Sequence, residues 1–173
     1  MSTSLVVTVI GDDRPGIVER LSDVALAAGA NWEESRMARL AGKFAGILRV
    51  SVAASNAAAL ASGLRALTSD GLTIVVESSA ETTDTFRTVR FELVGNDHPG
   101  IIRDIAKLLA QHQINIEELE TGVSGAPMTG EQLFRARVQL RLPAAVTTEW
   151  LRSRLEALAG ELMVDVALDE QAG

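Results

Sequence analysis

An internal repeat is the feature that most constrains the fold of this 173-residue chain. Shifting the sequence by 84 positions places Gly11–Met37 on Gly95–Thr121 without a gap, and eight of the 27 aligned positions are identical. Each copy opens with the same short turn, GDDRPG in the first and GNDHPG in the second. A repeat at a fixed offset indicates two copies of one supersecondary unit. We therefore predict two domains, 1–80 and 84–173, joined by the polar linker Ser78–Thr85.

The order of hydrophobic periodicities predicts a βαββαβ fold for each copy. The first segment alternates apolar and polar residues as a half-buried strand does, and apolar residues at helical spacing follow it, from Ile17 and Val18 onward. Two further strands, a second amphipathic helix and a closing strand (Leu72–Glu77 or Leu162–Leu168) complete the copy. This is the ferredoxin-like split motif of the α+β class, an antiparallel sheet with both helices on one face. Extra residues in copy two are assigned to a longer hairpin loop, Ser124–Gln132.

The sheet face turned away from the helices is predicted to differ between the copies. Its first-strand residues are Val6, Thr8 and Ile10 in copy one, and Arg90, Glu92 and Val94 in copy two. An exposed apolar face is typical of a contact surface. Its occupant is left open by the sequence: the other domain, a second subunit or a regulatory partner.

Composition and charge exclude several classes of function. The net charge is −7 and neither half is basic, which argues against direct binding of nucleic acid. No apolar run approaches the roughly 20 residues of a membrane-spanning helix. Without cysteine, the chain forms neither disulfides nor a Cys-based metal site. These features favour a cytoplasmic protein with no membrane partner.

The sequence also lacks a catalytic constellation. Neither of the two histidines has a second His at metal spacing, and no phosphate-binding glycine motif is present. Glu33-Glu34 and Glu117-Glu118 are neighbours in predicted strands, where adjacent side chains point to opposite faces and cannot act as a pair. We expect such acidic residues to lie across from the strand arginines Arg135, Arg137 and Arg141. We predict a non-enzymatic protein with no catalytic residues, metal or cofactor.

The repeated turn carries groups suited to an amino acid. A proline suits the first position of a helix, and the following glycine leaves the backbone amides of the first turn accessible to a carboxylate. The nearby Asp12-Asp13 and Asn96-Asp97 pairs could accept from an ammonium group or cap the helix. The same residues are also ordinary chemistry for starting a helix, so the turn alone leaves both interpretations open.

The stretches DDRPGIVERLSDVALAAGANW and NDHPGIIRDIAKLLAQHQINI resemble the ACT domain, a small βαββαβ module that senses amino acids. A tandem pair over residues 4–169 with almost nothing appended resembles the glycine cleavage system transcriptional repressor family. The resemblance implies ligand pockets at the first strand–helix turns, usually where a second ACT unit packs, with a polar contributor at the start of the second strand. Carried over by position, the binding residues would be Asp12, Asp13, Arg14, Pro15, Gly16 and Asn31, and Asn96, Asp97, His98, Pro99, Gly100 and Asn115.

The resemblance further implies a regulator that binds a small amino acid, glycine as the first guess, and acts through a protein partner such as a DNA-binding transcription factor. The alternative is a module that controls an enzyme of amino-acid metabolism in trans. Pairing of two chains as a homodimer stays open beside pairing within one chain. The copies differ at Arg14 and His98, and at Gly29 and Gln113 after the first helix, so two equivalent sites are not assumed.

Overall fold

Each half of the chain folds into a four-stranded antiparallel sheet with two helices packed on one face. The computed structural model describes residues 1–79 and 86–169. The chain divides into two units, Met1–Thr82 and Thr83–Gly173, hereafter domain 1 and domain 2. Most of the predicted linker, residues 80–85, lies outside the described residues, as do residues 170–173.

Both domains have the predicted βαββαβ order. The elements of domain 1 are β1 (Ser2–Asp12), α1 (Ile17–Ala27), β2 (Asn31–Leu40), β3 (Lys43–Ala53), α2 (Ala57–Ala66) and β4 (Thr73–Ser78). The elements of domain 2 are β5 (Arg87–Asn96), α3 (Ile101–Gln111), β6 (Asn115–Gly125), β7 (Gln132–Leu142), α4 (Thr148–Leu162) and β8 (Val164–Asp169). The strand orders are β2-β3-β1-β4 and β6-β7-β5-β8, so the first strand of each copy lies in the interior of its sheet.

Each domain has its own hydrophobic core between the sheet and the helices. The alternation in β1 buries Leu5, Val7 and Val9, which are at most 8% exposed, as the sequence predicts. In domain 2 the fully buried Phe91 and Leu140 belong to the equivalent core. Burial of these apolar side chains, at about 25 cal/mol per Å², is the main favourable contribution to folding of each domain.

Three local expectations from the sequence are wrong. Leu162 is the last residue of α4 rather than the start of a strand, because Met163 adopts a left-handed conformation (φ 54°) that ends the helix. The hairpin loop of domain 2 is Ala126–Glu131 only, since β6 and β7 continue pairing as far as Gly125 and Gln132. Val18 follows the helical pattern but is 47% exposed, one step off the buried stripe of α1.

Candidate ligand-binding turns

The repeated turn is a four-residue connection with the same backbone in both domains. In domain 1 it joins β1 to α1, and the Asp13 N–H donates to the Gly42 carbonyl at 2.9 Å. In domain 2 the Asp97 N–H donates to the Gln132 carbonyl at 2.8 Å. Each turn is therefore fixed to the hairpin that follows it.

The start of the helix differs from the prediction. Pro15 and Pro99 do not occupy the first helical position, because each stands two residues before the first residue of its helix. The intervening residues, Gly16 and Gly100, are the N-caps, with φ angles of 89° and 100°. This left-handed conformation is accessible to glycine and strained for residues that carry a Cβ. The proline therefore fixes the approach to the cap, while the glycine makes the turn into the helix.

Neither of these N-caps receives a side-chain hydrogen bond, so the aspartates predicted as alternative caps do not act as caps. The cap carbonyls accept the first helical bonds, from the Arg20 and Asp104 amides at 3.0 Å. The amides of the first turn have no partner within the helix and carry its positive dipole end. Both turns therefore present donors suited to a carboxylate.

Arg14 and His98 perform the same task with different chemistry. The Arg14 guanidinium donates to the carbonyl of Asp70, the last residue of the 3-10 turn that follows α2. His98 Nε2 lies 3.0 Å from the carbonyl oxygen of Leu162, at the end of α4, and Nδ1 lies 3.2 Å from the Pro99 carbonyl oxygen. Each side chain thus connects the repeated turn to the end of the second helical segment in its domain. The difference between Arg14 and His98 therefore exchanges one structural donor for another.

The surroundings of His98 favour its protonated ring. The carbonyl of Leu162, followed by that of Pro99 and the negative charges of Asp97 and Asp104, raises the pKa of His98 above its ordinary 6.5. An imidazolium can donate to both carbonyl oxygens at once, whereas a neutral ring can donate to only one. The connection that His98 makes in domain 2 is therefore sensitive to pH.

The acidic residues of the domain 1 turn are neutralised within the domain. Asp12 accepts from the Lys43 ammonium, whose hydrogen bond and charge lower the pKa of Asp12. Asp13 Oδ2 accepts from Arg39 Nε at 2.7 Å. Both cations flank the two-residue hairpin turn of β2 and β3, which register places beside the end of β1. The sequence reading missed these two residues, although the hairpin register is the signal that brings them to the turn.

In the part of domain 2 that the structure describes, the corresponding turn lacks counterparts of these two cations. The strand positions equivalent to Arg39 and Lys43 are Val123 and Leu133, because Val123 pairs with Phe134 as Arg39 pairs with Phe44. Within the described residues, Asn96 and the Asp97 carboxylate make no side-chain hydrogen bond or ion pair. The domain 2 turn therefore presents an exposed carboxylate beside the amides of a helix terminus.

Asn31 and Asn115 lie far from the turn of their own domain. Asn31 is opposite Ser51, which is opposite Ser4, whereas Asp12 at the turn is opposite Lys43. Ser4, at the level of Asn31, and Asp12, at the turn, are eight residues apart in β1, a distance of about 26 Å along the strand. Asn115 has the equivalent place in domain 2, since its partner Arg141 pairs with Thr88. The structure thus brings together the turn residues of each copy but not the asparagine.

A β-bulge corrects the interpretation of the paired glutamates in domain 1. The register of β2 against β3 shifts between Trp32 and Glu34, and this extra residue interrupts the alternation of faces. As a result Arg49 lies 3.3 Å from Glu33 and 3.8 Å from Glu34, so the neighbours do share one partner. Arg49 and the two glutamates form a surface ion-pair cluster, to which Arg36 adds a second cation 3.4 Å from Glu34.

The strand arginines of domain 2 are only partly as expected. Arg141 pairs with Glu117 at 2.7 Å, which confirms one predicted ion pair. Arg137 pairs at 2.7 Å with Glu92 on β5 rather than with an acidic residue of β6, although the charge of Glu120 contributes to its raised pKa. Among the described residues there is no group of three or more His, Cys, Asp or Glu that could hold a metal ion. None of the described helices is long and apolar enough to cross a membrane.

The fold and the repeated turns define the class of protein. Residues 3–77 and residues 88–150 each match the ACT domain family, and the chain belongs to this family as a tandem ACT-domain protein. It is 27% identical over 162 residues to the glycine cleavage system transcriptional repressor of Escherichia coli strain K12, covering 91% of this chain and 85% of that protein. The repressor of the same name from Shigella flexneri matches to the same extent.

Two solved structures have the same fold along nearly the whole chain. An unknown protein from Galdieria sulphuraria is 34% identical, with a TM-score of 0.85 over 99% of this chain and 100% of that one. A candidate glycine cleavage system transcriptional repressor is 24% identical, with a TM-score of 0.71 over 98% of this chain and 97% of that one. The predicted ACT resemblance and ferredoxin-like fold are confirmed, and the curated relatives are regulators rather than enzymes.

Proposed function

We propose that this protein is a non-enzymatic regulator that binds a small amino acid at the domain 2 turn and acts on transcription through a protein partner. The observation that supports the proposal is the exposed Asp97 carboxylate beside the uncapped amides of α3. Amides suit the carboxylate of an amino acid, and a carboxylate suits its ammonium group. Both charged groups common to every amino acid are therefore complemented within one turn.

The two turns differ in their capacity for such a ligand. In domain 1 an incoming ammonium would compete with Arg39 for Asp13 and with Lys43 for Asp12. In domain 2 the Asp97 carboxylate forms no ion pair among the described residues, although its charge acts on the neighbouring His98 ring, so an ammonium group would have no salt bridge to displace. We therefore assign the first binding event to domain 2.

Glycine is the first ligand to test. The groups assigned to recognition contact only the ammonium and carboxylate, which are the whole of glycine apart from one methylene. The curated relatives are named for the glycine cleavage system, which agrees with this choice. Asn31 and Asn115 are too far from the turn of their own domain to contact the same ligand, so either would contribute only to a turn of another ACT unit.

A protein partner accounts for regulation of transcription better than direct DNA binding. The net charge of −7 is spread over two halves that are both acidic, whereas binding to the phosphate backbone requires clustered Lys and Arg. The curated relatives are transcriptional repressors, so the partner class that fits is a DNA-binding transcription factor in the cytoplasm. Ligand control requires that the amino acid bind one state of the protein more tightly than another.

The test is thermal unfolding of the full chain in the presence of each of the twenty amino acids. A ligand at 100 times its dissociation constant stabilises the folded state by about 2.7 kcal/mol, a readily measured shift. We expect glycine or another small amino acid to give the shift and Asp97→Asn, which preserves shape and removes charge, to abolish it. Asp13→Asn is the matched control in the turn that is already neutralised, and it should retain the shift.

Two outcomes would contradict these assignments. If no amino acid stabilises the wild-type chain, amino-acid binding itself is wrong. If Asp97→Asn and Asp13→Asn behave alike, the ligand binds elsewhere. Affinity capture with the bound amino acid then tests the partner: recovery of a DNA-binding protein supports the proposal, and recovery of a metabolic enzyme supports control of that enzyme in trans.

A further inference from the structure

The domain 1 sheet has an exposed apolar surface on the side opposite its helices. We call it the domain 1 face and define it by three rows of side chains that cross β3, β1 and β4. The rows, in register, are Arg49–Val6–Glu77, Ile47–Thr8–Val75 and Ala45–Ile10–Thr73. Ile10, Ile47 and Val75 are 49%, 47% and 48% exposed. Exposed apolar side chains grouped on one face of a sheet are typical of an interaction site.

We propose that the domain 1 face binds the same face of a second copy of this chain, in a dimer whose two-fold axis runs along β1. Rotation about that axis exchanges the β3 side with the β4 side and keeps each row at its own level. Ile47 then faces Val75 of the second copy, and Val75 faces Ile47 of the second copy. Such reciprocal contacts are required of an interface related by two-fold symmetry. Two sheets packed this way keep their strands roughly aligned.

The charged row at the edge of the face is complementary under the same rotation. Arg49 lies opposite Glu77 of the second copy, and the converse pair forms across the axis. Arg49 already lies 3.3 Å from Glu33, so the added carboxylate fixes the register of the dimer more than its strength. The residues on the axis, Val6, Thr8 and Ile10, meet their own copies without burying a charge.

The equivalent face of domain 2 is unsuited to the same arrangement. The on-axis residues of β5 would be Arg90 and Glu92, each of which would face its own copy. Like charges placed directly opposite one another disfavour association. Arg137 and Glu92, 2.7 Å apart, already form an ion pair within this face. The exposed apolar surface and the self-complementary pattern therefore occur together in domain 1.

The area of the domain 1 face determines the affinity that we expect for the dimer. Three strands and three rows span about 14 by 20 Å, roughly 300 Å² per copy. Stable interfaces bury about 800 Å² per partner, so this contact corresponds to a weak dimer. We expect monomers at low micromolar concentration and dimers at high micromolar concentration.

Sedimentation velocity across that concentration range tests the proposal. Val75→Arg places a charge opposite Ile47 of the second copy, and we expect it to weaken dimerisation about tenfold or more. Ala167→Arg is the matched control, because Ala167 has the same register position relative to β5 that Val75 has relative to β1. Fluorescence of Trp32, which packs against the domain 1 core, shows whether Val75→Arg still folds.

A second measurement does not depend on that variant. The chain has no cysteine, so Thr8→Cys provides a single thiol on the proposed axis, and Glu92→Cys provides its domain 2 equivalent. A short bis-maleimide should join two copies of Thr8→Cys and leave Glu92→Cys monomeric. A wild-type chain that stays monomeric throughout, a folded Val75→Arg that dimerises as the wild type does, or equal cross-linking at both positions would each overturn the proposal.

Discussion

Gln113→Gly is expected to stabilise domain 2. Both first helices end in a Schellman motif with the same pair of hydrogen bonds. In α1 the Gly29 and Ala30 amides donate at 2.9 Å, and in α3 the Gln113 and Ile114 amides donate at 3.1 and 3.0 Å. The residue that closes each motif is left-handed, with φ 67° for Gly29 and 56° for Gln113. The principal local difference is that a side chain occupies the strained position in domain 2.

The size of the effect follows from two opposing contributions. A left-handed residue with a Cβ costs about 1–2 kcal/mol. Glycine loses more conformational freedom on folding than a residue with a side chain, and this loss offsets roughly 0.5–1 kcal/mol of the stabilisation gained by relieving the strain. Gln113→Gly should therefore raise the free energy of unfolding of domain 2 by about 0.5–1 kcal/mol. Gly29→Gln should lower that of domain 1 by a similar amount.

Each domain has one tryptophan, so the two unfolding transitions can be measured separately. Trp32 packs against the domain 1 core and Trp150 against the domain 2 core. A Trp32→Phe background reports domain 2, and a Trp150→Phe background reports domain 1, each by fluorescence in urea. With a urea slope of 1–3 kcal/mol per M, the midpoint should move by about 0.5 M. An unchanged or lower midpoint for Gln113→Gly would refute the argument that this conformation is strained.

Two further predictions use the same measurement. Protonated His98 should stabilise domain 2, because its surroundings raise its pKa in the folded state. This stabilisation is complete below the unfolded pKa of about 6.5 and is lost as the pH rises through the folded pKa. His98→Arg should remove the loss, and a variant with the pH profile of the wild type would contradict the prediction. Gly95→Ala should cost about 1–3 kcal/mol, since its Cβ would meet the Val164 Cα at 2.8 Å. Gly11→Ala should cost less, because its closest clash is the tip of the Leu72 side chain; equal costs would argue against a backbone cause.

Much of the fold could be predicted because it depends on patterns local in the sequence. The alternation in β1 and the helical spacing in α3 determine which side chains are buried. The same patterns occur in both copies of the repeat, so each copy supports the assignment of the other. The bulge at Glu33 and the left-handed Met163 could not be predicted in this way. The bulge arises from the pairing of β2 with β3, and the left-handed end of α4 falls on a methionine, where the sequence has neither the glycine nor the asparagine that usually marks such an end. The exact start of α1 was also missed, since the proline suggested a helix start that the left-handed Gly16 places two residues later.

The sequence could predict where the repeated turns lie, but not which of their charged side chains are already paired. The turn residues are adjacent in the chain, so a motif could identify them. The partners of those residues lie elsewhere: Arg39 and Lys43 reach the domain 1 turn through the hairpin register, and the carbonyl of Leu162 reaches His98 through the packing of α4. A sequence motif reports which groups are present at a turn. Whether their charges are already neutralised depends on the tertiary structure.

The comparison of the two copies separates what the fold requires from what each domain presents to its surroundings. The backbone bond that anchors the turn, the left-handed glycine and the side-chain donor to the second helix recur in both copies, although the donor changes from Arg14 to His98. These features fix the fold, so a duplicated domain keeps them. The differences lie at exposed positions. Among the described residues, the turn carboxylate is paired in domain 1 and has no ion pair in domain 2, and the open sheet face is more apolar in domain 1 than in domain 2. Because no core contact depends on these exposed groups, the same scaffold can carry a different binding surface in each domain: the ligand site that we propose for domain 2 and the self-association face that we propose for domain 1.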